Sequence, residues 1–164
     1  MKKVVLVSFL LFMSLGSIFA QLPTGKGNFF ANTRLTGLEF STDDLTSFSI
    51  GANGGYFLAD KLALVGGLSI TTLSFGGETF SSFGLNAGAR YYFAENANGS
   101  FFADGLLGLQ KADNSDAIVG LTLNGGYAVF LKENIAIEPM ATLFLPFSNG
   151  DVTFSLGAGF SIYF

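Results

Sequence analysis

Residues 151–164 read DVTFSLGAGFSIYF. Val152, Phe154, Leu156, Ala158, Phe160, Ile162 and Phe164 are apolar, and Thr153, Ser155, Gly157, Gly159 and Ser161 between them are small or polar. Alternation with period two puts the two sets on opposite faces of one β-strand. The run is long enough to cross a bilayer when tilted, for which about 9–11 residues suffice.

The pattern recurs upstream over Phe48 to Leu58, Leu62 to Ile70, Phe83 to Phe93, Phe101 to Leu109, Val119 to Leu131 and Ile135 to Leu145. A first strand, roughly Asn28 to Ser41, slips in its alternation near Thr36-Gly37, which predicts a bulge. Turn chemistry separates the runs at Thr42-Asp43-Asp44, Asp60-Lys61, Gly76-Gly77, 95–99, 113–116, Lys132-Glu133-Asn134 and 148–151. Eight strands joined by seven turns return both ends of the chain to one side. The expected fold is all-β: an eight-stranded antiparallel up-and-down transmembrane β-barrel formed by residues 21–164.

Composition agrees with a membrane wall built from strands. Of 164 residues, 49% are hydrophobic and 12% charged, about half the charged share of an ordinary soluble domain. Mean hydropathy is +0.50. Past residue 20 no uninterrupted apolar run approaches the ~18 residues of a spanning helix. Residues 1–20, MKKVVLVSFLLFMSLGSIFA, carry Lys2 and Lys3, an apolar stretch from Val4 to Leu15 and a small residue at Ala20. That is the pattern of a secretory signal peptide cleaved before Gln21. Loss of its two lysines takes the formal charge from −4 to −6. An acidic chain without a basic cluster is a poor ligand for nucleic acid. There is no Cys and no His, so disulfides, thiolate metal sites and the commonest general base are absent. No enzyme activity, cofactor or metal is expected. Asp43-Asp44 and Asp113 with Asp116 could hold a loop Ca²⁺, but acidic turns are ordinarily just hydrated.

The less apolar face is rich in Gly, Ser, Thr and Asn and carries few charges. A water-facing surface would hold many more Lys and Glu, so this face is expected to line a narrow lumen while the apolar face meets lipid. Arg34, Arg90, Asp104 and Glu138 fall on the lumen face, and Glu39 joins them if the bulge is present. In hydrocarbon each would cost several kcal/mol. The expectation is an internal network of Arg34 and Arg90 with Glu39, Asp104 and Glu138. Aromatics gather near strand ends: Tyr56, Phe57, Tyr91, Tyr92, Phe93, Phe101, Tyr127, Phe130, Tyr163 and Phe164 near one rim, and Phe40, Phe48, Phe75, Phe80, Phe144 and Phe147 near the other. Two girdles at the headgroup levels are expected from them.

The final Gly159-Phe160-Ser161-Ile162-Tyr163-Phe164 has the form Gly-x-x-apolar-x-aromatic. With the segments GGYFLADKLAL (54–64) and LNAGARYYF (85–93), it resembles the small outer-membrane β-barrel family of Gram-negative bacteria, the OmpA/OmpX-like barrel domain. Gly157 stands where that family has a polar residue. The resemblance implies outer-membrane residence among lipid. It also implies insertion by the barrel assembly machinery, with Gly159, Ile162 and Phe164 as the assembly signal. It brings no catalytic motif. If the N-terminus is periplasmic, the outer loops are about 42–46, 76–79, 112–116 and 148–151, all short. The expected role is structural or accessory, in the envelope or in a larger outer-membrane complex, with a closed lumen. The alternative is a narrow channel or a surface-binding protein.

Overall fold

The computed structural model describes residues 23–40, 46–75, 78–96, 98–112, 116–148 and 151–164, and not the side chains of 37–40, 46–47, 73–75 and 78. The expected signal peptide at 1–20 lies outside these residues. Eight strands follow in order: β1 Phe29–Phe40, β2 Thr46–Ala59, β3 Leu62–Phe75, β4 Glu78–Asn96, β5 Gly99–Ala112, β6 Ile118–Lys132, β7 Ile135–Pro146 and β8 Thr153–Tyr163. Each pairs antiparallel with the next, and β8 returns to β1, closing the barrel. Closure runs from Phe30 opposite Tyr163 to Thr36 opposite Gly157. Reciprocal backbone hydrogen bonds between Phe29 and Phe164 fasten the last step, at 3.0 and 2.8 Å. Closure leaves no strand edge unpaired, which hydrocarbon requires.

The register shifts between Thr36 and Glu39, where the alternation slips in the sequence. Three connections share one end of the barrel with both ends of the described chain, which we call the terminal end. They are tight: Asp60-Lys61 turns with Lys61 at φ 68°, 97–98 joins β4 to β5, and 133–134 joins β6 to β7. The opposite, far end carries the connections 41–45, 76–77, 113–117 and 147–152.

The outward set of each strand is apolar and exposed. Leu64, Leu68, Ile70, Leu85, Leu107, Leu156 and Phe160 are among its members. Half-exposed large hydrophobes around a whole circumference are stable only against an apolar solvent. Leu68 sits midway along β3, opposite Ala52 and Leu85, with half its surface exposed. Leu68→Arg is expected to destabilise the barrel by about 2–4 kcal/mol, the depth-dependent cost of a lipid-facing arginine. Urea unfolding in lipid vesicles measures it. A change under about 0.5 kcal/mol, the usual size for a water-facing substitution, would put Leu68 outside hydrocarbon.

Candidate functional site: the lumen and its charge network

The lumen face of an eight-stranded barrel is narrow enough for side chains to meet across it. Arg90 on β4 and Asp104 on β5 are register partners. Arg90 donates to Asp104 Oδ2 from Nε at 3.1 Å and from one terminal nitrogen at 2.9 Å. Its other terminal nitrogen reaches Glu138 Oε2 on β7 at 2.8 Å. Arg34 on β1 crosses the lumen to the same Asp104 Oδ2 at 2.6 Å. Four expected charges, Arg34, Arg90, Asp104 and Glu138, thus form one buried network of two cations and two anions. Arg90 and Glu138 are fully buried. Glu39 lies in β1 beyond the bulge, opposite Ser47, and its side chain is outside the described residues.

The two carboxylates are satisfied unequally. Glu138 accepts from four side chains. Ser161 and Tyr163 donate to Oε1 at 2.5 and 3.0 Å, and Arg90 and Asn32 to Oε2 at 2.8 and 3.2 Å. Asp104 receives both arginines on Oδ2, while its Oδ1 is buried without a hydrogen-bond partner. Asn32 ties the layers together. Its amide donates to Glu138 and, at 2.7 Å, to Ser161, and its carbonyl accepts from Arg34 Nε at 3.1 Å. Sequence reasoning missed Asn32, Ser161, Tyr92 and Tyr163. Their parity was the available signal, since Asn32 and Tyr92 share a strand face with Arg34 and Arg90, and Ser161 and Tyr163 share the small, polar face of β8.

Aromatic rings fill the lumen on the terminal side of this network, which corrects the girdle expected at that rim. Tyr56, Tyr91, Phe93 and Phe101 face outward, but Phe57, Tyr92 and Tyr163 are buried inside with Phe30 and Phe102. Phe130 packs against them from a partly buried position. Strand pleating is the cause: at Tyr91-Tyr92-Phe93 the outer two rings point to lipid and the middle one must point in. The rings run in a chain of contacts, Phe30 to Phe57, Phe57 to Tyr92 and Tyr92 to Phe102, with centroids 5.7–6.0 Å apart. The Arg90 guanidinium lies 4.0 Å from the Phe102 ring centre, 5.2 Å from Phe30 and 5.7 Å from Tyr92. That cation–π enclosure offsets part of its lost hydration. Tyr92 and Tyr163 share a hydroxyl contact at 3.0 Å, so both polar tips find partners.

Residues 23–28 cross the terminal end. The Thr24 hydroxyl donates to Glu95 at 2.8 Å, its carbonyl accepts from the Lys61 amide, and the Lys26 amide donates to Asp60. Gly27 and Asn28 bond to the Phe57 backbone. Lys61 pairs with Glu95 at 2.9 Å, and that carboxylate raises the lysine pKa above its usual value. No periodicity in the sequence marked this segment.

At the C-terminus, Gly159 faces the lumen, where a Cβ would come within 2.7 Å of the Asn32 amide nitrogen. Ile162 and Phe164 sit half-buried beside β1 at the closing seam. Gly159 therefore has a packing reason that is independent of any assembly signal. Among the described residues no three Asp or Glu side chains gather as a metal site would need. Asp43, Asp44 and Asp113 lie outside those residues.

Charge is segregated along the barrel axis. The lumen set cancels, and so do Lys26, Lys61 and Lys132 against Asp60, Glu95 and Glu133 at the terminal end. By sequence position Glu39, Asp43, Asp44, Glu78, Asp113, Asp116 and Asp151 belong to the far end, against Lys111 alone. In sequence, the −6 of residues 21–164 is thus carried by the strand ends and connections on that side.

The architecture is that of an outer-membrane β-barrel. Neisserial surface protein A matches with a TM-score of 0.63 and 15% identity, over 84% of this chain and 96% of that one. The N-terminal β-barrel domain of Pseudomonas aeruginosa OprF matches at 0.61 and 16%, over 85% and 99%. The Yersinia pestis outer membrane protein Ail in a phospholipid nanodisc matches at 0.60 and 14%, over 85% and 100%. Such identities show a common fold. No protein-family model and no curated protein matches the sequence.

Proposed function

We propose that this chain resides in the outer membrane as a closed barrel with a structural or accessory role in the envelope, alone or within a larger outer-membrane complex. The observation that carries the reading is the filled lumen. Phe30, Phe57, Tyr92, Phe102 and Tyr163 are each at most 3% exposed, directly beneath a fully paired set of four charges. An ion crossing would have to displace rings, salt bridges and residues 23–28 together. The short far-end connections support the same reading, because they leave little chain for a receptor surface. Outer-membrane lipid covers the wall, and the barrel assembly machinery inserts it. No catalytic step belongs to this role.

Purified protein reconstituted in a planar bilayer is expected to give no steady conductance above that of the protein-free bilayer. Reproducible channels, altered in size by Arg90→Ala, would overturn closure and favour the narrow channel.

A further inference from the structure

On the far side of the charge network the described side chains leave space between them. A cavity of about 110 Å³ lies above Arg34, walled by hydroxyl and amide side chains including Ser49, Thr71, Asn86, Thr122 and Asn124. Buried polar atoms normally have partners. Two atoms of this wall have none: Asn86 Oδ1, an acceptor, and Asn124 Nδ2, a donor. Asn124 is only 4% exposed. Thr142 donates to its oxygen at 2.7 Å, which leaves the NH₂ uncommitted. On the opposite wall Thr71 donates to Ser49 at 2.9 Å, so the Ser49 hydrogen is left to turn elsewhere. A molecule filling this space must both donate and accept.

Charge narrows its class further. Among the described residues no carboxylate lines the cavity, and the one ionised side chain there is Arg34, already paired to Asp104. A cation would meet Arg34 with no counter-charge, and burying an unpaired ion is costly. An anion would have to pass a mouth whose sequence carries the entire negative balance, and such fields act over the whole opening. We propose that the cavity binds a small neutral polyhydroxyl molecule. The volume is several times the ~10–15 Å³ that admits a single water, which leaves room for a small polyol.

The charge network and aromatic layer form the floor of this site, so the proposal rests on the closed-lumen reading. The test uses the barrel in nanodiscs, with side-chain amide NMR signals followed during titration with glycerol, ammonium chloride or sodium phosphate. The Asn86 and Asn124 signals are expected to shift saturably with glycerol, in the millimolar range, and with neither salt. Asn124→Leu should weaken glycerol binding about tenfold, the effect of losing a hydrogen bond in a buried site. Thr71→Val, a milder change nearer the mouth, should weaken it about threefold. Saturable shifts with ammonium or phosphate instead would overturn the proposal, as would a linear response to glycerol in the parent protein. Bilayer recording of the same preparation separates the two readings. A conducting barrel overturns closure and the floor together, and a silent barrel that ignores glycerol overturns the site alone.

Discussion

Arg90→Met is expected to destabilise the folded barrel by about 3–5 kcal/mol, the usual cost of removing one partner from a buried ion pair. Arg90 is the cation common to both carboxylates and the one enclosed by Phe30, Tyr92 and Phe102. Met keeps the length and apolar contact of the side chain but removes the charge, so Glu138 and Asp104 are left with Arg34 alone. The network makes a second, sharper statement. Glu138 has four donors and Asp104 has an unpartnered oxygen. In the Arg90→Met background, Glu138→Gln removes an uncompensated charge while its amide still reaches Ser161 and Tyr163. The double variant should therefore be more stable than the sum of the single losses implies, by about 1–3 kcal/mol. Urea unfolding of the four proteins in one detergent closes the cycle. Additive losses would mean that Arg90 and Glu138 act independently, and a loss under about 1 kcal/mol for Arg90→Met would mean that water reaches the network. Arg90→Lys should recover only part of the stability, because an ammonium cannot hold both carboxylates in the fixed fork of a guanidinium.

The parity that locates this network in the sequence also separates lumen from lipid elsewhere on the strands. Period-two alternation assigns a face without any three-dimensional information, so Arg34, Arg90, Asp104 and Glu138 could be placed inside from the chain alone. The bulge near Thr36 was legible for the same reason, as a break in that parity. Side-chain type without parity misplaces the lumen rings. An aromatic side chain near a strand end satisfies a headgroup girdle and a lumen plug equally well, and only its parity separates the two. Tyr92 shares a face with Arg90, Phe102 with Asp104 and Tyr163 with Ser161. Residues 23–28 were not legible by either route, because their contacts to Asp60, Lys61 and Glu95 are backbone and capping contacts without sequence period. The cavity was illegible too. Its lining includes Gly51, Gly84 and Gly108 and comes from several strands, and volume is a property of those strands together.

The plug also specifies where glycine must stand, and one pair makes that dependence measurable. Phe30 on β1 lies opposite Gly55 on β2. The ring folds over the glycine, so that a Cβ there would overlap it, and its three nearest neighbours would all be atoms of that one ring. No backbone atom is among them, unlike at Gly88, where the Gly105 carbonyl stands closest. Phe30 is 2% exposed, touches Phe57 and Tyr163 and lies against Arg90. Phe30→Ala should therefore cost about 3–5 kcal/mol, the range for an aromatic deleted from a packed interior. Gly55→Ala should cost about 1–3 kcal/mol in the parent, as overpacking against a ring held on its other sides. In the Phe30→Ala background the obstacle is gone, and an alanine at 55 fills part of the cavity and favours the strand. There Gly55→Ala should be neutral or stabilising. This reversal of sign is the decisive readout in urea unfolding. A loss at Gly55 that persists unchanged without the Phe30 ring would mean that the backbone, and not the plug, demands the glycine.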